Sequence, residues 1–203
     1  MSNVPDSLRI ETPRLELRLA NESELRKLFR VAAAGIHDPS FMPFAVAWTD
    51  DLEEAGFLAY HRDTLAAWRP DEWRLNLITF LDGEPIGSQG LVASNFVAER
   101  TATTGSWLGQ GFQGRGLGTE MRSGVLSFAF EALGAERVLS GALVGNERSL
   151  GVSRTLGYRE VGSHFVSPRG EPVEHIDLEL LRTEFQPRVD VSWTGFDPAP
   201  FGL

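Results

Sequence analysis

The sequence predicts a mixed α/β domain, one sheet of about seven strands with helices packed on both faces. Three observations predict it. Strand-like and helix-like segments follow one another as strand, two helices, three strands, helix, strand, helix, two strands, with no repeat or low-complexity linker between them. Two apolar runs meet at Asp82-Gly83, a favoured tight-turn pair, which makes an antiparallel hairpin. Five glycines fall within residues 109–118, directly before a helix-like run, where backbone N–H groups can reach an anion.

The elements follow in order. Residues 10–19 end in the alternation Leu15-Glu16-Leu17-Arg18-Leu19 and read as a strand with one buried face. Asn21 caps a helix with Glu22 and Glu24 in its first turn and Leu25, Leu28, Phe29 and Ala32 along one face. The loop at 35–44 carries Pro39 and Pro43 beside Phe41, Met42 and Phe44, side chains that cover either the core or a ligand. A second helix begins at Asp50, with Glu53 as its capping-box partner, and runs to about Trp68. Residues 75–81 and 85–92 are the two arms of the hairpin. A strand at 103–108 leads into the glycines. The helix that follows carries Leu117, Met121, Val125, Phe128 and Ala132 and stops at Gly134. A strand at 137–143, a helix at about 147–156 ended by Gly157, and strands near 158–161 and 175–180 complete the domain, residues 1–182. The tail, residues 183–203, is irregular. Its Val189, Val191, Trp193, Phe196 and Phe201 predict packing on the domain or on a second subunit, as in a homodimer.

Composition sets outer limits. A chain of 203 residues supports one substantial core. No apolar stretch approaches the roughly 18 residues of a membrane helix. The start, Met1-Ser2-Asn3-Val4-Pro5-Asp6, lacks the basic-then-apolar order of a signal peptide, so a cytoplasmic protein with no membrane partner is expected. The absence of cysteine excludes disulfides, thiolate metal ligands and a thiol nucleophile. His37, His61, His164 and His175 lack metal-site spacing along the chain, so no metal is expected. A net charge of −9 argues against a nucleic-acid partner and suits a cationic or amine substrate.

The glycine run decides the ligand. Gly109-Gln110-Gly111-Phe112-Gln113-Gly114 satisfies the dinucleotide fingerprint by spelling. That fingerprint belongs on the first strand of a βαβ unit, with an acidic residue closing the next strand. Here an antiparallel hairpin comes first, and Leu143-Val144-Gly145 stands where the acid is needed. No Gly-Lys-Ser/Thr exists for a P-loop.

The overlapping run Gln113-Gly114-Arg115-Gly116-Leu117-Gly118 is instead a Q/R-x-x-G-x-G signature. One strand later come Asn146-Glu147-Arg148-Ser149 and Leu156-Gly157-Tyr158. Together these segments resemble the GNAT superfamily of acyl-CoA N-acyltransferases. Thr12-Pro13-Arg14-Leu15 and Gly105-Ser106-Trp107-Leu108-Gly109 are similar to its branch of ribosomal-protein N-terminal acetyltransferases. His37-Asp38-Pro39, Met42-Pro43-Phe44, Trp48-Thr49 and the apolar tail look like actinobacterial members, among which succinyl-CoA is one donor. The resemblance spans residues 10–182 and implies the GNAT fold, a mostly antiparallel sheet splayed at the acyl-CoA site.

It also implies roles. Trp107, Leu108 and Gly109 would pair their backbones with the pantetheine arm, and the Leu108 N–H would polarise the thioester carbonyl. Gln113, Gly114, Arg115, Gly116, Leu117, Gly118 and Thr119 would hold the pyrophosphate, with Arg115 adding its side chain. Asn146 would fix the arm unless it serves as an ordinary helix cap, and Ser149 or Tyr158 would protonate the departing thiolate. The cosubstrate is acetyl-CoA or succinyl-CoA. The acceptor is a small-molecule amine or a protein N-terminus, attacked directly in a ternary complex.

The general base is missing. Relatives carry a Glu where this chain reads Thr103-Thr104-Gly105. An α-amine of pKa about 7.8 is roughly one-tenth neutral at pH 7, whereas a lysine near 10.4 is about 0.04 % neutral. An α-amine is therefore the expected acceptor unless Asp71, Glu72 or His37 reaches the site. Two alternatives follow: an acyl-CoA sensor that has lost the chemistry, and an assembly protein organised by the tail.

Overall fold

The computed structural model describes residues 5–203; residues 1–4, where the reading against a signal peptide begins, lie outside the described residues. Its sheet has nine strands rather than seven, in the order β7-β8-β6-β5-β4-β3-β2-β1-β9. The first predicted strand is two, β1 (Arg9–Glu11) and β2 (Leu15–Arg18), paired with Ile10 opposite Leu17. Thr12-Pro13-Arg14 makes the turn between them, closed by a Thr12 N–H bond to the Leu15 carbonyl at 2.9 Å. Proline has no N–H for a ladder, so the strand breaks there.

α1 (Glu22–Ala33) begins as predicted: Asn21 accepts from the Glu24 N–H, and the Glu24 side chain returns the bond. α2 (Glu54–Ala66) starts later than Asp50 and has no side-chain cap. Asp50 is engaged elsewhere. Its carboxylate is gripped by the Arg169 guanidinium through two bonds of 2.7 and 2.6 Å, a stronger pairing than a cap. β3 (Glu72–Leu81) and β4 (Glu84–Ser94) form the hairpin, with Asp82 at φ 51° and Gly83 at φ 80°. Both values lie in the left-handed region that a type I′ turn requires.

After the short α3 (Phe96–Glu99), β5 (Thr101–Leu108) runs into the glycines and α4 (Leu117–Ser127). The predicted long helix does not stay α-helical. Phe128–Ala132 form a π-helical turn, in which Leu133 bonds back to Phe128 and Phe128, Ala129 and Phe130 are all buried. β6 (Arg137–Leu143), α5 (Glu147–Thr155), β7 (Arg159–Val166) and β8 (Val173–Leu181) follow. The tail contributes β9 (Ser192–Thr194), paired with β1 at Ile10 opposite Trp193. Phe201 is fully buried, edge-on to Trp68, Trp73 and Phe128.

One sheet face carries the larger core under α4 and α5, including Leu75, Leu77, Leu91, Val125 and Val138. Leu28, Ala32 and Phe57 of α1 and α2 cover Ile78 and Phe80 on the other. Among the described residues no helix is long and apolar enough to cross a membrane.

Candidate active site

Among the described residues β5 and β6 are the one parallel pair, and they part company early. Thr101, Ala102 and Thr103 face Arg137, Val138 and Leu139, and no pairing follows, although β5 continues to Leu108 and β6 to Leu143. A wedge opens between them. Gly109 donates to Ile86 on β4 at 3.0 Å, so antiparallel alternation turns the N–H and C=O of Leu108 away from β4, toward the wedge. The carbonyl is already taken, because Gln113 Nε2 donates to it at 2.7 Å. The Leu108 N–H faces the wedge without a partner on β4.

The glycine loop turns its backbone amides out of the strand pairing and toward the start of α4. Gly114 at φ 72° and Gly116 at φ 77° sit in the left-handed region, which lets the loop turn its amides inward. Gly116 is the N-cap of α4 and no side chain caps this helix. The first helical bond runs from Glu120 to Gly116, so the N–H groups of Leu117, Gly118 and Thr119 have no helical partner. Gly109 allows a close approach to α1, since a Cβ there would sit 2.5 Å from Val31 Cγ1. Arg115 is exposed at the loop surface.

Sequence reading missed a second cation here. Arg14 donates its Nη1 to the Arg115 carbonyl at 3.1 Å and pairs with the buried Glu120 at 2.6 Å. An acid in the first turn of α4 would repel a phosphate, and this pairing offsets its charge. Arg14 stood in the family-like Thr-Pro-Arg run, but nothing in the linear order tied it to residue 120.

Asn146 caps α5: its Oδ1 accepts from the Ser149 N–H at 3.2 Å, while its Nδ2 donates to the Pro43 carbonyl at 3.4 Å. Ser149 is therefore the N3 residue of α5, half-buried. Tyr158 is buried, with its hydroxyl 3.3 Å from Thr104 Oγ1. Burial pushes its pKa up; the neighbouring Arg122 charge and the Thr104 bond oppose this without reversing it. The phenol keeps its proton at neutral pH.

Arg122 is the least expected member. This arginine on α4 is only 4 % exposed, and its partners are hydroxyls: Ser106 of β5 at 2.8 Å, Ser153 of α5 at 3.0 Å and Ser140 of β6 at 3.5 Å. No carboxylate pairs with it among the described ion pairs, and its Nε is buried without a partner. Burial lowers its pKa, with the Tyr158 hydroxyl acting the other way. An arginine remains charged all the same. Ser106 and Ser140 belong to the two diverging strands, which puts a buried cation on the α4 side of the wedge.

The opposite side is aromatic. Trp107 packs against Trp48 at 5.7 Å, Trp48 against Phe44 at 5.3 Å and Phe44 against His37 at 5.7 Å. His37 is not a free base. Its Nδ1 donates to the Asp38 carbonyl and its Nε2 lies 2.7 Å from the Thr49 hydroxyl, so both ring nitrogens are engaged. Glu72 pairs with Ser94, at the far end of β4 from Gly87, which faces Leu108. Asp71 lies beside it, so neither acid reaches the wedge. A cleft of about 750 Å³ between α1, α2 and β3 is lined by residues such as Leu25, Leu58 and Ile78 and contains none of the wedge residues.

An open, mostly antiparallel sheet that splits beside a glycine-cradled helix start defines the acyltransferase class of α/β fold. This chain belongs to the GNAT family: residues 14–159 match the acetyltransferase (GNAT) domain. YdaF of Bacillus subtilis, named as a candidate ribosomal N-acetyltransferase, is 33 % identical over 106 residues, which are 51 % of this chain and 57 % of that protein. The chain thus spans little more than half the length of this relative. Mycobacterium smegmatis RimJ, solved with a CoA disulfide, superposes with a TM-score of 0.75 at 21 % identity, over 90 % of each chain. RimL, a ribosomal L7/L12 α-N-protein acetyltransferase solved with coenzyme A, does so at 0.70 and 16 % identity, over 84 % of this chain and 95 % of that one.

Proposed function

We propose that this chain moves an acetyl or succinyl group from acyl-CoA to a primary α-amine, by direct attack in a ternary complex. The observation that carries the reading is the wedge itself, with the Leu108 N–H turned into it and the uncapped start of α4 beside it. The pantetheine arm fits between β5 and β6, and the pyrophosphate fits the N–H groups of Leu117, Gly118 and Thr119. Arg14 and Arg115 supply the nearby positive charge.

In the reaction the amine lone pair attacks the thioester carbon while Leu108 N–H stabilises the charge growing on oxygen. The C–N bond forms, the C–S bond breaks and the nitrogen's surplus proton leaves to solvent. Tyr158, protonated and buried, supplies the proton for the departing thiolate, with Ser149 of α5 as the alternative donor. The Asn146 Oδ1 caps α5 and one N–H of its Nδ2 points to the Pro43 carbonyl, so the second N–H of Nδ2 is the donor left for the arm. Acceptors are reached from the face of Trp107 and Trp48, and the ribosomal-protein acetyltransferases among its structural relatives make a protein N-terminus the first acceptor to try.

Arg122 supports succinyl over acetyl. A buried guanidinium without a carboxylate is costly, and the terminal carboxylate of a succinyl group would supply the missing partner. A panel of acetyl-, propionyl- and succinyl-CoA with short peptides bearing free α-amines tests the reading through thiol release. Turnover with succinyl-CoA preferred is the expected result. Coenzyme A binding without turnover of any pair would establish a sensor and overturn the enzyme.

A further inference from the structure

The aromatic side of the wedge holds a constellation that linear order concealed. On paired strands β7 and β8, His164 stands opposite His175, and Asp177 lies two residues further along. His175 Nδ1 is 3.2 Å from Asp177 Oδ1, and His164 Nδ1 is 3.1 Å from the same carboxylate. An ionised carboxylate only accepts, so both Nδ1 atoms donate, an arrangement that puts the lone pair of a neutral ring on Nε2. Burial works to raise the Asp177 pKa, but the bonds from His164 and His175 outweigh it and hold the group below its ordinary value. Hydrogen bonds satisfy the cluster as it stands.

The His175 ring does not stay over its own strand. A Cβ on Gly141 would overlap its Cε1 and Nε2, so the ring lies across β6 with Nε2 over that glycine. Only glycine permits this. Continuing the β5–β6 register two residues past Thr103 and Leu139 puts Gly105 across the wedge from Gly141. A Cβ on Gly105 meets nothing within 4 Å, so the space above it is open. Gly105, Gly141 and His175 share the face that carries Trp107, where an acceptor enters. The His175 side chain is 19 % exposed, shielded yet reachable.

We infer that His175, oriented by Asp177, is the base that takes a proton from the incoming ammonium group, in place of the missing strand carboxylate. The inference rests on the acyl-CoA reading above. His175 Nε2 removes one proton from R–NH₃⁺, and the freed lone pair forms the C–N bond. The C–S bond breaks, Tyr158 protonates the thiolate, and the nitrogen's second surplus proton leaves to solvent. Asp177 is a positioning residue, which fixes the tautomer and stabilises the imidazolium. Facing His175 are Asp177 on its own strand, His164 from β7, and the non-titrating Gly141 and Leu143 from β6.

The test compares the parent with His175→Gln and Asp177→Asn, using acetyl- and succinyl-CoA with an alanine peptide that has a free α-amine. At pH 7 the glutamine variant is expected to lose about 100-fold or more in kcat/KM. The deficit should shrink toward pH 9, where an α-amine of pKa about 7.8 is already neutral. Asp177→Asn should show a smaller loss with the same pH trend, and coenzyme A should protect both variants from heat as it does the parent. A glutamine variant with the parent rate at pH 7 overturns the inference. So does an equal loss at every pH, or a parent that binds coenzyme A and acylates nothing. A parent that coenzyme A does not protect overturns the acyl-CoA reading and the base with it, and heat protection distinguishes that failure from the others.

Discussion

Gln113 holds two backbone carbonyls at once: its Nε2 donates to Leu108 and to Ile36, each at 2.7 Å. The end of β5, the turn after α1 and the start of the glycine loop are thereby one unit. Arg148 of α5 donates to the Oε1 of the same side chain, which adds the second wall of the wedge. Gln113→Glu would place an acceptor-only carboxylate against two carbonyl oxygens. Each lost donor costs about 1–3 kcal/mol, partly offset by a stronger pairing with Arg148. The expected result is a lower urea midpoint together with a higher KM for acyl-CoA, and an unchanged midpoint would refute the linkage.

Gly116→Glu tests the cradle. The glycine's φ of 77° is costly for any side chain, and the carboxylate would sit where a pyrophosphate is expected. Saturating coenzyme A at 100 times its Kd should stabilise the parent by about 2.7 kcal/mol. Differential scanning should show no such gain in the variant, beyond its lower starting Tm.

Much of this region was legible because its signals are local. The Asn21 cap, the Asp82-Gly83 turn and the start of α4 each depend on residues a few positions apart. Asn146 as the cap of α5, the alternative to its expected role on the arm, is of the same kind. What stayed hidden depends on pairing between distant segments. His164, His175 and Asp177 become one cluster only through the β7–β8 register. Arg122 lies on a helix whose apolar face was read correctly, yet its burial follows from serines on three other elements. Asp50 was misread as a helix start because its partner, Arg169, is far along the chain.

Arg122→Gln tests the acyl group. Hydrogen bonds to charged groups are worth about 1.5–3 kcal/mol, so the succinyl-over-acetyl ratio of kcat/KM should fall roughly tenfold to a hundredfold. Heat protection by coenzyme A should persist. Equal losses with both donors would assign Arg122 to the support of the strands rather than to the acyl group.

Acid should unfold the protein partly through His61. Burial beside Phe57 and Tyr60 lowers its pKa from 6.5 to about 4. A depressed folded-state pKa gives stability that is present above pH 6.5 and lost as pH falls toward 4, because the unfolded chain binds the proton first. The loss is on the order of 2–3 kcal/mol. His61→Leu should flatten that part of the stability curve in urea titrations at pH 4.5, 5.5 and 7. A parallel decline in parent and variant would exclude His61 as the cause.

The strand β9 has a consequence for how this domain comes into being. Ser7 bonds to the carbonyl of Gly195, 188 residues away, and Phe201 seals the aromatic cluster around Trp73 and Phe128. Contacts so distant in sequence close large loops and form late, which slows folding. Until residues 192–201 arrive, a nascent chain exposes an unpaired β1 edge and a bare ring of Phe128, the surfaces on which chaperones and misassembly compete. The last part of the sheet to form is the part that makes the first part safe.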